Sequence, residues 1–200
     1  EIFRENRDIL EIAKKFVNDK VPTIDFALEQ ACFIVAESIS DNASFRKYIR
    51  NYLYKNGILK SSMKKNAQDE TKTYEIYYNY EIKVPWVKPH QLLALNRGEK
   101  EGILKVDIAS SIEQVETFLE RKLIHKNNPD TTKLLKLSIS DALKRLILPS
   151  VEREIRADLT EKAEEQAIKN FGINLHNLLM QPPIKSKTVF GFDPAFRTGC

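Results

Sequence analysis

Apolar residues at helical spacing recur along most of the chain. Within residues 5–19 they stand three and four positions apart, as on one buried helix face: Ile9, Ile12, Ala13, Phe16 and Val17. A second stretch of this kind begins near Asp25. A third begins near Asn42 and stops at Asn56-Gly57, a pair typical of a helix C-terminus. The first part of the chain therefore predicts three helices.

Two shorter segments have sequence patterns that favour β-strands rather than long helices. Residues 103–108 (ILKVDI) alternate apolar and polar positions, as a half-buried strand does. The aromatic segment 74–82 (YEIYYNYEI) favours a strand by composition, although its pattern also fits a short helix. Residues 61–73 are polar and predict a mobile connection between these elements.

Several residues mark where the elements begin and end. Pro89 suits the first turn of a helix, and we expect Gly98 to allow a turn from that helix into the following strand. Ser111 and Gln114 have the spacing of a capping box, which predicts another helix start. Residues 125–131 (HKNNPDT) predict a linker that separates two structural units.

One long helical pattern fills the second unit, from about Lys133 to Gln181. Because proline removes a hydrogen bond and crowds the preceding turn, we expect a break or kink at Pro149. Beyond it, apolar residues recur every four positions: Val151, Ile155, Leu159, Ala163, Ala167, Phe171, Leu175 and Leu179. Each step of four advances about 40° around a helix, so this row predicts a central strut with different neighbours along its length. Acid–base pairs at i,i+4 spacing predict salt bridges on its solvated face: Glu152–Arg156, Asp158–Lys162 and Glu165–Lys169.

Composition narrows the class of protein. Hydrophobic residues make up 42% and charged residues 30%, which suits a globular chain with a core, and no apolar run is long enough to span a membrane. The N-terminus lacks the apolar segment of a secretion signal. Cys32 and Cys200 stand far apart, and neither has a neighbour at the spacing of metal ligands. We therefore predict free thiols in the cytoplasm and no zinc site. We also predict no cofactor.

Positive charge is concentrated in one interval. No acidic residue lies between Asp41 and Asp69, whereas the interval holds seven basic residues: Arg46, Lys47, Arg50, Lys55, Lys60, Lys64 and Lys65. Since the net charge of the whole chain is +4, the rest of it is net negative. Charge concentrated in this way favours the phosphate backbone of a nucleic acid, and we predict that these seven residues bind it.

Tyrosines lie among the basic residues of the third predicted helix, at positions 48, 52 and 54. Basic and aromatic side chains together suit phosphates and exposed bases, and this helix forms a helix-turn-helix-like pair with the one before it. The alternative is that the tyrosines pack in the core while the basic side chains are merely solvated. We favour the core for each tyrosine taken alone, and an anion-attracting surface for the interval as a whole.

Several segments together resemble one family. Residues 149–168 (PSVEREIRADLTEKAEEQAI), 181–183 (QPP) and 191–200 (GFDPAFRTGC) look like the bacterial transcription accessory protein family, Tex. Earlier segments match in the same order: AESIS from Ala36, PHQLLALNRGEKEGIL from Pro89 and DALKRLILPS from Asp141. The resemblance covers essentially the whole chain. It departs at Gln91, where the family commonly has Arg, and at Ala195, which is often Gly.

The resemblance implies a longer cytoplasmic protein with helical regions, an RNase H-like domain, helix-hairpin-helix elements and an OB-fold RNA-binding module. This chain would cover most of the helical part: an N-terminal helical region (1–124), the linker (125–131), a long-helix region (132–183) and the start of the RNase H-like domain (184–200). The predicted fold is thus mainly α, multi-helical around a long central helix, with short β elements and an incomplete terminal strand at 187–192.

The same resemblance bears on activity. Asp193 would be the first carboxylate of the RNase H-like site, with Arg197 close enough to contact a phosphate. A two-metal site needs several converging carboxylates, so we predict no catalytic residue and no metal site in this chain. The predicted function is a helical scaffold that binds RNA or DNA weakly and without sequence preference. The alternative is a docking module for RNA polymerase or another transcription partner. A resolvase-like nuclease is a third reading, for the complete protein alone.

Overall fold

Helices dominate the computed structural model, which describes residues 9–124, 128–182 and 185–191. The helices are α1 (Ile9–Lys14), α2 (Ile24–Ser40), α3 (Ala43–Asn56), α4 (Pro89–Lys100), α5 (Glu113–Leu123), α6 (Pro129–Asp141) and α7 (Leu148–Leu179). The strands are β1 (Ile58–Met63), β2 (Asn79–Lys83) and β3 (Leu104–Ala109). The predicted fold class, mainly α with a long helix and minor β elements, is confirmed.

Local capping residues set where several helices begin. The Thr23 hydroxyl accepts a hydrogen bond from the Phe26 N–H at the start of α2. The Asn42 side chain accepts hydrogen bonds from the N–H groups of Ser44 and Phe45 at the start of α3. These side chains satisfy N–H groups that have no partner inside the helix. The predicted start of α3 and its end at Gly57 are confirmed.

The three strands form one antiparallel sheet in the order β2-β1-β3. Leu59, the second residue of the central strand β1, lies opposite Ile82 of β2 and Ile108 of β3. The strand predicted at 103–108 is confirmed, and the ambiguous segment 74–82 contains both a 3-10 turn (Glu75–Tyr77) and β2.

The prediction of a mobile polar connection at 61–73 is wrong for its first part, because β1 continues through Met63. Farther along, the Asp69 carboxylate organises the chain. It accepts hydrogen bonds from the N–H groups of Tyr74, at 2.8 Å, and Thr73, at 3.1 Å, and from the Tyr78 hydroxyl, at 3.0 Å. These bonds, that from the Tyr74 N–H above all, lower the pKa of Asp69.

Two predicted element boundaries are also wrong. Gly98 lies buried inside α4, where an added Cβ would stand 2.6 Å from Cδ1 of Leu104, and the turn is made at Gly102 with φ of +79°. No capping box forms at α5, which begins after Ile112 without a side-chain cap. The Ser111 carbonyl instead accepts a hydrogen bond from the Tyr52 hydroxyl at 3.3 Å.

The long helix continues past Pro149, so of the predicted break or kink at this proline the break is wrong. α6, a π-helical segment (Ala142–Ile147) and α7 form one helix of 51 residues. Proline cannot donate a hydrogen bond, and its ring presses on the carbonyl four residues earlier. The wider turns of the π-helical segment directly precede it, with the Leu148 N–H bonded to the Leu143 carbonyl five residues back. The chain therefore passes the proline by widening rather than by breaking.

The first half of α7 lies in the core and the second half does not. Val151 and Ile155 are buried, and Ala163 is the last buried residue along the helix. Residues 164–180 are exposed throughout, with Phe171 at 67% and Leu179 at 73%. The predicted central strut is confirmed as far as Ala163 and is wrong beyond it.

The last described residues, 185–191, have no regular secondary structure and pair with no described strand. Phe190 is 88% exposed. Phe192, Asp193 and Arg197, on which the terminal strand and the RNase H-like comparison depend, lie outside the described residues. Among the described helices, none combines the length and the apolar composition that a membrane span requires.

Candidate nucleic-acid interface

Helix α3 carries four of the seven predicted binding residues, and its surroundings decide what each can do. Ile49 and Leu53 are buried beneath it. Arg46 and Arg50 of α3 contact residues of α7. Tyr48 contacts α5, and Tyr52 contacts Ser111, which lies just before α5. This leaves one outward face between the two contacts.

Both arginines of α3 have carboxylate partners on α7. The Arg46 guanidinium donates to the Glu154 carboxylate at 2.6 Å and to the Ser150 hydroxyl at 2.7 Å. Arg50 pairs with Asp158. Their charges are therefore largely compensated, and they hold α3 against α7.

Two of the three tyrosines of α3 are engaged on the side of α5. The Tyr48 ring stacks on Phe118, with the ring centroids 3.7 Å apart and the planes 13° from parallel. The Tyr52 hydroxyl donates a hydrogen bond to the Ser111 carbonyl. Tyr52 is half-buried against the core, as the core interpretation predicts, whereas that interpretation is wrong for Tyr48, which remains 38% exposed beside Phe118.

The outward face of α3, called here the α3 face, consists of Lys47, Asn51, Tyr54 and Lys55. The first three stand at i, i+4 and i+7 and so share one stripe of the helix. All four are exposed, and neither lysine forms an ion pair within the described part of the chain. The Tyr54 ring, 39% exposed, lies beside two uncompensated positive charges.

The other three predicted residues lie on the sheet and not on α3. The Lys60 ammonium in β1 contacts the Glu81 carboxylate of β2 at 2.6 Å. Lys64 and Lys65 follow the far end of β1, about 20 Å along the strand from the end of α3 at ~3.4 Å per residue. The seven predicted residues are therefore divided between α3 and the end of the sheet, and Arg46, Arg50 and Lys60 are paired with carboxylates.

Arg156, predicted from its spacing to pair with Glu152 on the same helix, instead connects α7 to α4 and the sheet. The Arg156 guanidinium pairs with the Glu99 carboxylate on α4 and donates to the Val106 carbonyl at 3.1 Å. Four residues earlier on α7, the Glu152 carboxylate accepts the Ile108 N–H at 2.8 Å. Among the described strands β3 pairs with β1 alone, and α7 satisfies two backbone groups on the other edge of β3.

These contacts replace the salt bridges predicted along α7. Among the described residues none of the three i,i+4 pairs forms, because Arg156 turns to Glu99 and Asp158 turns to Arg50. Burial raises the pKa of Glu152, while the hydrogen bond from Ile108 opposes that rise. The prediction used only the spacing of residues on one helix, whereas the partners that form lie more than 40 residues away along the chain.

The described residues include one free thiol and no group of side chains that could hold a metal ion. Within them, no three His, Cys, Asp or Glu side chains are grouped so that they could hold a metal ion. Cys32 is a half-buried free thiol on α2, with its sulfur 3.9 Å from the Leu134 carbonyl oxygen on α6. Cys200 lies outside the described residues.

Comparison with known proteins gives one consistent family. The sequence model of the family described as Tex central region-like matches residues 4–171. The chain is 48% identical over 191 residues to the uncharacterized protein YdcI of Bacillus subtilis. It is 31% identical over 179 residues to the human S1 RNA-binding domain-containing protein 1, and 29% identical over 209 residues to the protein tex of Bordetella pertussis.

The chain is much shorter than these relatives. The three alignments cover 94%, 84% and 94% of this chain. They cover 27%, 18% and 26% of the relatives, in the same order. The matched region is therefore about a quarter or less of each relative's length.

Proposed function

The chain belongs to the Tex family, and from that membership together with the α3 face we propose that it is a helical scaffold in a transcription accessory protein, one that presents a nucleic-acid-binding surface. The surface binds single-stranded RNA or DNA weakly and without sequence preference. The chain itself catalyses no reaction, and it works in the cytoplasm.

The α3 face is the observation that carries this proposal. Lys47 and Lys55 are exposed and have no carboxylate partner in the described structure, so their charges are available to phosphates. Tyr54 supplies an exposed ring between them, on which a base can stack, and Asn51 supplies a neutral hydrogen-bonding group. Two charges and one ring give a small contact, consistent with weak binding.

Ion pairs reduce the number of basic residues that are available to a ligand. Arg46, Arg50 and Lys60 are paired with Glu154, Asp158 and Glu81, in that order. Lys64 and Lys65 at the far end of β1 then form an accessory contact that a longer strand would reach. The matched human relative is named for an RNA-binding domain, which supports a nucleic acid as the ligand of the family.

Charge reversal on the α3 face tests the proposal. We expect the double variant Lys47→Glu, Lys55→Glu to weaken binding of fluorescein-labelled oligouridine or oligothymidine at least about tenfold at low salt, because it replaces attraction to phosphate by repulsion. Fluorescence anisotropy measures the affinity. Arg46 and Arg50 are left intact, since reversing them would place like charges against α7 and disturb the fold.

The matched control is Lys162→Glu, Lys169→Glu, which makes the same change in net charge on α7. An equal loss of affinity in this control would show that net charge alone governs binding and would overturn the assignment to the α3 face. Tyr54→Ala should weaken binding to single strands, and Tyr54→Phe should preserve it, because stacking needs the ring alone.

Salt separates this proposal from the alternative of protein docking. Binding through phosphates weakens steeply as salt is added, because the protein displaces counterions from the strand. Docking to RNA polymerase or another transcription partner through apolar contacts would be far less sensitive to salt. Affinity that stays constant from low to physiological salt would favour the alternative.

A further inference from the structure

A groove lies between α1, α2 and α6, and no residue of α3 lines it. It encloses about 540 Å³, within the range of clefts that bind ligands. Apolar and thiol side chains of α2 and α6 line its centre: Leu28, Cys32, Phe33, Leu134 and Leu137. Leu137 is 56% exposed and Phe33 is 36% exposed, so the groove presents apolar surface to solvent.

Carboxylates surround this apolar wall. Asp25, Glu29, Asp130 and Asp141 all line the groove, with Lys133 as the one cation among its lining residues. Asp141 is held by Arg145 in a bidentate pair. The other three carboxylates form no ion pair within the described part of the chain. The rim is therefore negative around an apolar centre.

The shape of the groove fits a helix. The lining positions span residues 25–33 on α2 and 130–141 on α6, or about 12 Å and 16 Å at ~1.5 Å per residue. These lengths correspond to two or three helical turns. The walls are helices, so no open strand edge is available for an added β-strand, whereas the ridge of a third helix packs into a groove between two others.

We propose that this groove is a docking site for an amphipathic, basic helix of a partner protein. The apolar residues of that helix, at i, i+3, i+4 and i+7, lie against Leu134, Leu137 and Phe33. Its Lys and Arg side chains meet Asp25, Glu29 and Asp130. The site is separate from the α3 face, so either proposal can fail without the other.

Cys32 provides a direct reporter of occupancy. Its thiol lines the groove and is half-buried, within reach of a small thiol reagent. A helix seated in the groove covers that thiol. The chain with Cys200→Ser leaves Cys32 as its sole cysteine, so the labelling rate then reports on the groove.

The test uses a fluorescein-labelled peptide of Leu and Lys, four helical turns long, with its leucines at the spacing given above. We expect saturable binding to the whole 200-residue chain and slower reaction of Cys32 with a thiol reagent in the presence of the peptide. A peptide with Glu in place of every Lys should not bind. The variant Leu137→Ala, Glu29→Lys should bind at least about tenfold more weakly.

Matched controls lie on exposed positions outside the groove. Ile34→Ala truncates an exposed apolar residue of the same helix α2, and Glu165→Lys reverses an exposed carboxylate on α7. Both should bind the peptide as the unmodified chain does, and circular dichroism verifies that all variants fold. Lack of saturable binding would overturn the proposal. So would equal binding of the acidic peptide, an unprotected Cys32, or an equal loss of affinity in the controls.

Discussion

Two glycines in helices show how the same residue type can have opposite effects. Gly98 in α4 lies where α4 meets β3, and a Cβ added there would stand 2.6 Å from Cδ1 and 2.9 Å from Cγ of Leu104. Gly172 in the exposed half of α7 has no heavy atom within 4 Å of an added Cβ. The first glycine permits close packing, whereas the second merely weakens its helix.

Gly98→Ala should destabilise the chain by about 1–3 kcal/mol through overpacking. Gly172→Ala should stabilise α7 by about 0.5–1 kcal/mol, because alanine restricts the unfolded chain and favours the helix. Chemical denaturation monitored by circular dichroism measures both changes. Equal effects from the two substitutions would contradict the packing described for α4 and β3.

Glu152 makes the stability of the fold depend on pH, and the direction of that dependence follows from the surroundings of its carboxylate. Burial raises its pKa above the ordinary value of 4.5, and the nearby carboxylates of Asp107 and Glu99 act in the same direction, against Ile108 and Arg156. The folded chain then holds this proton more tightly than the unfolded chain. The contribution of Glu152 to stability is therefore greatest in acid and is lost as the pH rises through the raised pKa.

Glu152→Gln should raise the melting temperature by a few degrees at pH 7 and leave it unchanged in acid below the ordinary pKa. The amide oxygen of glutamine can still accept the Ile108 N–H, and the substitution removes the cost of a partly buried charge. Differential scanning calorimetry at both pH values is the measurement. The control Glu165→Gln, at an exposed position, should change neither value, and a lower melting temperature for Glu152→Gln at pH 7 would contradict the argument.

At the scale of elements, α7 has two halves with different support. Residues 151–163 pack on α3 and α4 and bond to β3, whereas residues 164–180 are exposed and show apolar side chains to solvent. A helix without tertiary contacts is marginally stable in water, since most of its stability in proteins comes from packing.

Amide hydrogen exchange should therefore be slow across residues 151–161 and fast across residues 166–178, with the change falling near Ala163. Mass spectrometry of peptides from the exchanged chain resolves these two segments. Uniform protection along the whole helix would show that the outer half is covered, for example by self-association, and light scattering would then identify a dimer.

Elements were predictable from sequence where local chemistry decides them. Asn42 and Gly57 set the ends of α3 through hydrogen bonds to residues a few positions away. The alternation of apolar and polar residues at 103–108 is likewise a local pattern, and it was sufficient to predict β3. The i,i+4 salt bridges failed because Arg156 and Asp158 found better-placed partners on other elements. The outer half of α7 failed for a related reason, since a row of apolar residues does not reveal whether anything covers it.

At the scale of the whole molecule, the first half of α7 is the element shared by the others. It contacts α3 and α4 and continues from the segment that packs on α2, and one continuous cluster of buried side chains extends from Val35 to Ala163. Within the described part of the chain, three of the seven predicted binding residues have carboxylate partners and four have none, so the candidate site was visible in the sequence in part. Its reduction to the α3 face depends on acids more than 100 residues from α3, which no local pattern discloses.

The π-helical segment at Ala142–Ile147 also sets the phase of everything that follows it. Bonds from residue i to i+5 take up more residues per turn than α-helical bonds do, so a shorter α-helical path through this segment would omit a residue. A residue omitted from a regular α-helix turns the downstream side chains by about 100° around the axis. A single-codon deletion between 142 and 147 would instead convert the wide turn into an α-helical turn. Val151 and Ile155 would then still face the core, so this segment is where the helix best tolerates the loss of one residue.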